Sequence, residues 1–325
     1  MNLCKWLPLN IQKYTKNKKI SLFLDFVEIR DIFAEKQKAQ NMKNVLITGA
    51  NGQLGTEIGK IMPAAISAAH NDLDITNARM VKEFVKRNNI KTIVNCAAYT
   101  AVDAAEDDKE NAFKINAIGP KNLADTGCNL IQISTDYVFD GNLKYNAYTE
   151  SDFLRPLSVY GKTKALGERA VMRYSANYVI IRTSWLYSPY GKNFMKTMRK
   201  MGATKQEISV VNDQYGIPTY AADLAVAIVQ IIPQMSLDNV GVYHYSNACD
   251  NQNSGITWYD FAVEIMKQSR FDCVVKPITT AQYPTRAVRP KHSVLDITKI
   301  QQTFGIKIPK WQDGLKRCIG ELQRQ

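Results

Sequence analysis

Two short segments, about 110 residues apart, carry residue types that could do chemistry together. The first spaces Gly49, Gly52 and Gly55 as Gly-x-x-Gly-x-x-Gly after an apolar run. Such a spacing permits a tight turn, close approach of a pyrophosphate to the backbone, and packing of the helix that follows. In the second segment, Tyr160 and Lys164 are four residues apart, which puts a phenol and an ammonium on one face of a helix. Together the segments predict a nicotinamide-dependent oxidoreductase with a tyrosine proton donor.

The predicted proton donor needs help from its neighbours, because a free tyrosine has a pKa of about 10. A nearby ammonium stabilises the phenolate, so Lys164 is expected to bring the pKa of Tyr160 into a range useful for acid–base catalysis. Ser134 and Thr135 stand at the end of a strand candidate, where the Thr135 hydroxyl would polarise a substrate carbonyl. Two alternatives stay open: the hydroxyl pair satisfies backbone groups of a turn, and the glycines form a turn without a ligand.

The elements that would position these residues alternate between strand and helix from Asn44 onward. This order predicts an α/β fold, a Rossmann-type doubly wound parallel sheet with helices on both faces. The strand candidates are Val45–Thr48, Ala64–Ala68, Thr92–Cys96, Leu130–Ser134 and Tyr178–Arg182, and the helix candidates between them are Gln53–Ile61, Asn77–Arg87, Asn111–Ala124 and Leu157–Tyr174.

Beyond about residue 185 the regular alternation gives way to turns and short elements. A smaller C-terminal lobe that binds the substrate is expected here, with helices at Thr257–Gln268 and Trp311–Leu322. The predicted domains are a Rossmann domain over 43–185 and a substrate-binding lobe over 186–325, interleaved with the first. Residues 1–42 are expected to be an extension, either disordered or outside the native chain, because Met42 directly precedes the first strand candidate.

Composition narrows the function class. The chain has 325 residues, 45% of them apolar and 22% charged, as in globular proteins. Its net charge is +12, of which nine Lys/Arg against four Asp/Glu in residues 1–43 supply +5, and no dense basic block occurs. An anionic small substrate is therefore favoured over nucleic acid, and the apolar run 22–27 is too short to span a bilayer. Six cysteines without Cys-x-x-Cys spacing argue against a zinc site and favour a reducing, cytoplasmic location.

Taken in order, the motifs resemble those of the extended short-chain dehydrogenase/reductase family, over nearly the whole chain from Lys43 onward. The motifs that carry the resemblance are Thr48–Gly55, Asn95–Asp103, Ser134–Phe139, Tyr160–Lys164, Arg182–Trp185, Asn212–Gly216, and Arg289–Pro290 followed by Ser293 and Leu295. Two positions depart from the family pattern, with Cys96 in place of an alanine and Tyr99 in place of a common histidine.

The resemblance implies reduction of the C4 ketone of dTDP-4-dehydro-L-rhamnose to dTDP-L-rhamnose, with NADPH as the cofactor and NADH as the alternative. It gives catalytic roles to Thr135, Tyr160 and Lys164. The implied cofactor-binding residues are Gly49, Gly52, Gln53, Leu54, Gly55, Asp74, Ile75, Ala97, Ala98, Tyr99, Asn116, Tyr160 and Lys164. The implied substrate-binding residues are Thr100, Val102, Thr135, Asp136, Trp185 and Arg289. For Asp74, whose loop carries no clear ribose-binding acid, a helix cap is the alternative.

Other functions remain open from the sequence. An epimerase or dehydratase acting on another nucleotide sugar would share the fold and the tyrosine–lysine pair, although Tyr137 stands where a dehydratase has an acid/base residue. A non-catalytic regulatory subunit, resembling that of methionine adenosyltransferase, would share the architecture. No metal-binding residues are predicted, no membrane or nucleic-acid partner is expected, and the oligomeric state stays open, with a homodimer as one possibility.

Overall fold

The structure is a computed structural model that describes residues 43–143 and 146–324. Residues Asn44–Gln325 form one compact unit. The expectation of an extension over 1–42 lies outside the described residues. No helix in the described ranges is long and apolar enough to cross a membrane.

A six-stranded parallel sheet in the order β10-β5-β4-β3-β1-β2 forms the centre of the molecule. The strands are β1 (Val45–Thr48), β2 (Ile66–Ala68), β3 (Thr92–Asn95), β4 (Asn129–Thr135), β5 (Tyr178–Thr183), β6 (Leu186–Tyr187), β7 (Glu207–Val211), β8 (Tyr215–Gly216), β9 (Thr219–Tyr220), β10 (Gly241–Tyr245), β11 (Ile256–Thr257) and β12 (Val274–Ile278). Every residue of β1 and β3 is buried, as in strands covered by helices on both faces.

The strand order reverses at β1, since the chain runs from β1 to β2 on one side and then returns to β3 on the other. Such a reversal opens a crevice at the carboxyl ends of the two central strands, where open α/β sheets bind their ligands. The site residues that end β1, β3 and β4 therefore face one crevice.

Ten α-helices cover this sheet and the smaller C-terminal elements within the described ranges. They are α1 (Gln53–Ile61), α2 (Ala78–Arg87), α3 (Lys109–Phe113), α4 (Gly119–Ala124), α5 (Val159–Tyr174), α6 (Phe194–Gly202), α7 (Ala221–Ile231), α8 (Trp258–Ser269), α9 (Thr298–Phe304) and α10 (Trp311–Leu322). Side chains of Asn77, Ser158, Asn193 and Thr257 cap α2, α5, α6 and α8 by accepting backbone N–H groups.

The structure confirms the predicted α/β fold and parallel sheet, and it corrects two expectations about its elements. The helix predicted over Asn111–Ala124 is not regular, because a π-helical turn at Lys114–Ile118 separates α3 from α4. Only five strands of this sheet were predicted from the sequence, yet a sixth, β10, pairs with β5 at the sheet edge. Its residues Gly241–Tyr245 carry a glycine and a histidine, which obscures the apolar pattern of a buried strand.

A second buried core lies among the C-terminal elements. It includes Phe261 and Ile265 of α8 and Trp311 and Leu315 of α10, together with Met195 of α6. The helices predicted over Thr257–Gln268 and Trp311–Leu322 are confirmed as α8 and α10. The boundary near residue 185 between the two lobes stays a prediction.

Candidate active site

The predicted glycine turn joins β1 to α1 and leaves the start of α1 open. Gly49 has a φ of 64°, and a Cβ there would lie 2.6 Å from the backbone nitrogen of Ala97, so no other residue fits. Gly52 is the N-cap, no side chain caps the helix, and its first turn has no acid. The first backbone N–H groups of α1 therefore have no side-chain acceptor and no nearby acid in that turn. An anion such as a pyrophosphate could accept their hydrogen bonds.

A cleft of about 710 Å³ opens beside this turn and brings most of the predicted site residues together. The predicted residues that line it are Gly52, Gln53, Leu54, Ala98, Thr100, Val102, Thr135, Asp136, Tyr160, Lys164 and Trp185. The predicted residues that do not line it are Gly49, Gly55, Asp74, Ile75, Ala97, Tyr99, Asn116 and Arg289. Segments far apart in sequence thus converge on one cavity.

Thr135 and Asp136 form a buried hydrogen-bonded pair at the end of β4. The Thr135 hydroxyl donates to Asp136 Oδ1 at 3.0 Å, and Ser293 Oγ donates to Asp136 Oδ2 at 2.6 Å. Thr135 Oγ1 also accepts the backbone N–H of Tyr137 at 3.2 Å. The turn-forming alternative is therefore correct for Thr135, and it coexists with a place on the cleft wall.

Burial and the nearby Asp136 carboxylate raise the pKa of Tyr160 to about 12, although hydrogen bonding with Thr135 acts in the opposite direction. Lys164 Nζ donates to the carbonyl of Ile133 at 2.6 Å. The expectation that Lys164 stabilises the Tyr160 phenolate stays a prediction. Burial lowers the pKa of Lys164 to about 8, and burial likewise raises the pKa of Asp136 to about 6.

Asn116 lies behind the cleft and acts on its backbone. Its Oδ1 accepts the N–H of Tyr99 at 2.9 Å, while its Nδ2 donates to the Tyr99 carbonyl at 3.1 Å and to Thr163 Oγ1 at 3.1 Å. The residue sits in the π-helical turn, a feature frequent at functional sites. Asn116 therefore fixes the loop after β3 against α5 without lining the cleft, and its predicted part in cofactor binding stays a prediction.

Three aromatic side chains form part of the cleft wall. Trp185 stacks on Trp258 with ring centroids 3.6 Å apart and planes within 10°, and Phe194 packs against Trp258 at 4.5 Å. Trp185 holds a φ of 48°, a strained conformation for a large side chain that is typical of functional sites. Sequence reasoning found Trp185 but missed Trp258 and Phe194, which lie far along the chain and carry no motif.

Arg289 lines an adjoining cavity of about 410 Å³. The two cavities share Tyr137, Phe194 and Trp258. The Arg289 guanidinium makes a bidentate ion pair with Asp103, at 2.7 and 3.2 Å. Arg289, predicted to bind the substrate, therefore lines the neighbouring cavity and not the cleft that contains the catalytic candidates. Its guanidinium is paired with Asp103.

Asp74 and Ile75, which the resemblance implies to be cofactor-binding, do not line the cleft. Asp74 Oδ1 accepts the N–H and hydroxyl of Thr76 at 2.9 and 2.8 Å, and the cap of α2 is Asn77 instead. Ile75 is buried against Gly119. Asp74 thus holds a turn, which corrects the alternative that it caps a helix.

Comparisons with known proteins agree with this architecture. A family model described as the RmlD substrate binding domain matches residues 42–324. The dTDP-4-dehydrorhamnose reductase of Aggregatibacter actinomycetemcomitans is 40% identical over 293 residues, which cover 85% of this chain and 98% of that protein.

Solved structures are similar to this chain over most of its length. A dTDP-4-dehydrorhamnose reductase from Clostridium acetobutylicum has a TM-score of 0.80 and 44% identity, covering 86% of this chain and 99% of that one. One from Bacillus anthracis, in complex with NADP, has a TM-score of 0.80 and 39% identity over 85% and 98% of the two chains. The match to the family model extends over most of the sequence, and the chain therefore belongs to the RmlD substrate-binding-domain family.

Proposed function

We propose that this chain reduces the C4 ketone of dTDP-4-dehydro-L-rhamnose to dTDP-L-rhamnose, using a nicotinamide cofactor. The observation that carries the proposal is the convergence of Thr135, Tyr160 and Lys164 on the cleft that also contains the open start of α1. The names of the relatives point to the same reaction. Neither the tyrosine pair nor the glycine turn alone would distinguish this function from others on the same fold.

The residues present fit a dinucleotide. Gly52, Gln53 and Leu54 would hold its pyrophosphate at the uncapped start of α1. Ala98 and Lys164 line the cleft beyond that turn and would contact the nicotinamide half. When bound, the nicotinamide supplies the hydride. NADPH is the proposed form because a relative with 39% identity binds NADP, and NADH is the alternative.

The chain's own part in the reaction is to orient the ketone and to deliver a proton. Tyr160 keeps its phenolic proton at neutral pH, because its pKa is about 12. It can therefore donate that proton to an alkoxide, which is the stronger base. The Thr135 hydroxyl lies on the same wall and would orient the oxygen, while the ammonium of Lys164 stabilises the phenolate left behind.

Two subsites fit the two ends of a nucleotide sugar. The deoxysugar would lie between Thr135 and the stacked Trp185, with Thr100, Val102 and Asp136 around it. The nucleotide would extend past the shared Tyr137, Phe194 and Trp258 into the second cavity, where Arg289 would meet its phosphates. This requires Arg289 to exchange or share its ion pair with Asp103.

Two alternative functions make different predictions. A dehydratase would need an acid/base residue at Tyr137, but burial and Asp136 raise the pKa of Tyr137 above its ordinary value. A regulatory subunit would have no use for the complete set Thr135, Tyr160 and Lys164. The expectations of a cytoplasmic location, a homodimer and two lobes stay predictions.

The deciding experiment follows NADPH absorbance after the full chain is mixed with dTDP-4-dehydro-L-rhamnose. Stoichiometric NADPH oxidation with formation of dTDP-L-rhamnose is the expected result. An epimerase or dehydratase recycles its cofactor and would convert a nucleotide sugar without net oxidation. Absence of all turnover, with recovery of a stoichiometric synthetase in a pull-down, would support the regulatory subunit instead.

A further inference from the structure

A buried ionic cluster lies directly behind the catalytic candidates. The Glu168 carboxylate accepts a hydrogen bond from Ser134 Oγ at 2.5 Å. It also accepts from Arg182, whose Nε lies 2.9 Å from Oε1 and whose second guanidinium nitrogen lies 2.7 Å from Oε2. Glu168 and Arg182 are 1% and 2% exposed, so neither charge is solvated by water. An unpaired buried charge would cost much free energy, and here the two buried charges form an ion pair.

The cluster touches both elements that present the catalytic groups. Glu168 follows Lys164 by one helical turn on α5, so the two side chains lie on one face of that helix. Ser134 directly precedes Thr135 on β4, and Lys164 donates to the carbonyl of Ile133 on the same strand. One carboxylate is therefore linked to the placement of Thr135 and to the environment of Lys164.

We propose that Glu168 is a positioning residue for the reduction: its buried carboxylate keeps Lys164 in the ammonium form and holds Ser134, and with it Thr135, in register. This inference rests on the proposed function. Lys164 is 4% exposed, and burial favours its neutral amine, whereas the negative charge of Glu168 favours the ammonium. Without that charge, the cleft would hold a neutral amine over more of the physiological pH range.

The other charged and titratable groups around Lys164 do not replace this role. Cys96 follows β3, the elements packed against α5 carry Asp136, Tyr137 and Arg182, Tyr160 lies on α5 itself, and His244 on β10 contacts Arg182. The Cys96 thiol has a pKa raised to about 12 by burial and is neutral at pH 7. Burial and Arg182 lower the pKa of His244, which is neutral as well. Asp136 is hydrogen-bonded to Thr135 and Ser293, and its charge is not among those that shift the pKa of Lys164.

The test is the pH dependence of Glu168→Gln against the wild-type chain. The charge of Glu168 favours the ammonium of Lys164, so the alkaline limb of kcat/KM, expected near pH 8 from Lys164, should move to lower pH by about one unit in the variant. Glu57→Gln is the matched control, because Glu57 is also 2% exposed and ion-paired, but with Lys60 on α1. In this control variant, the alkaline limb of kcat/KM should stay at the wild-type pH.

A second measurement separates this inference from the proposed function. The side-chain chemical shift of Lys164, followed across pH in the isotope-labelled full chain without cofactor, reports its titration even if no reductase activity is found. Should Glu168→Gln fail to fold, Glu168→Gln/Arg182→Gln removes both charges of the pair and should still lower the Lys164 midpoint, because Glu168 and not Arg182 is among the charges that shift the pKa of Lys164. An unchanged Lys164 midpoint in the folded variant overturns the inference, and so does a uniform loss of rate with the limb unmoved.

Discussion

Replacing Gly216 by alanine should damage the sugar subsite without touching the cofactor turn. Gly216 lies under the indole of Trp185, where an added Cβ would come 2.5 Å from Cε2 and 2.7 Å from Nε1 of that ring. Carbon atoms in proteins prefer separations of about 3.5–4.0 Å, so the ring would have to move by about 1 Å. It cannot slide freely, because Trp258 stacks on it at 3.6 Å.

The expected magnitude follows from this overlap. Inserting a methyl group into a packed site costs roughly 1–3 kcal/mol of folding stability. If about 1–2 kcal/mol of contact with the deoxysugar is lost as the ring shifts, KM for the nucleotide sugar rises about 5–30-fold. The dissociation constant for NADPH should stay unchanged, since the atoms nearest the added Cβ belong to Trp185 and not to Gly52, Gln53 or Leu54.

The assay combines initial rates of NADPH oxidation, NADPH binding by fluorescence, and unfolding in urea. Gly320→Ala is the matched control, because a Cβ there meets nothing within 4 Å and Gly320 lies inside α10. In the control, stability should rise by about 0.5–1 kcal/mol and KM should not change. An unchanged KM in Gly216→Ala, measured beside a Trp185→Ala variant that does raise it, would refute the reasoning about the wall.

Three further predictions test the catalytic wall. Tyr160→Phe should lower turnover by about 10²–10⁴-fold while NADPH binding by fluorescence is unaffected, because only the donated proton is lost. Lys164→Ala should weaken NADPH binding and turnover together, and normal cofactor affinity would remove Lys164 from the cofactor site. Because burial raises the pKa of Asp136 to about 6 from an ordinary value near 4, the folded chain keeps a proton that the unfolded chain releases in that interval. The Asp136 contribution to the free energy of unfolding therefore falls by up to about 3 kcal/mol between about pH 4 and about pH 7, and Asp136→Asn should flatten this fall in urea titrations at each pH.

Much of the fold could be predicted because its signals are local. The apolar runs of β1 and β3 and the amphipathic pattern of α2 need only neighbouring residues to be recognised. The strand β10 was missed because Gly241–Tyr245 is buried by partners that come from other parts of the chain. The π-helical turn at Lys114–Ile118 was missed for a similar reason, since the hydrogen bonds of its Asn116 reach Tyr99 and Thr163, which come from other segments.

The sequence by itself determined the chemistry that is available: a glycine turn that admits an anion, a tyrosine and a lysine on one helical face, and a threonine at a strand end. These features depend on residue types at short spacings along the chain, so they can be recognised before any tertiary contact is known. Only the tertiary structure decided which partner each group has. Lys164 donates to the carbonyl of Ile133, Arg289 pairs with Asp103, and Trp258 stacks on Trp185. Hydrogen bonds, ion pairs and desolvation act over a few ångströms in space, and the packing of distant segments sets those distances.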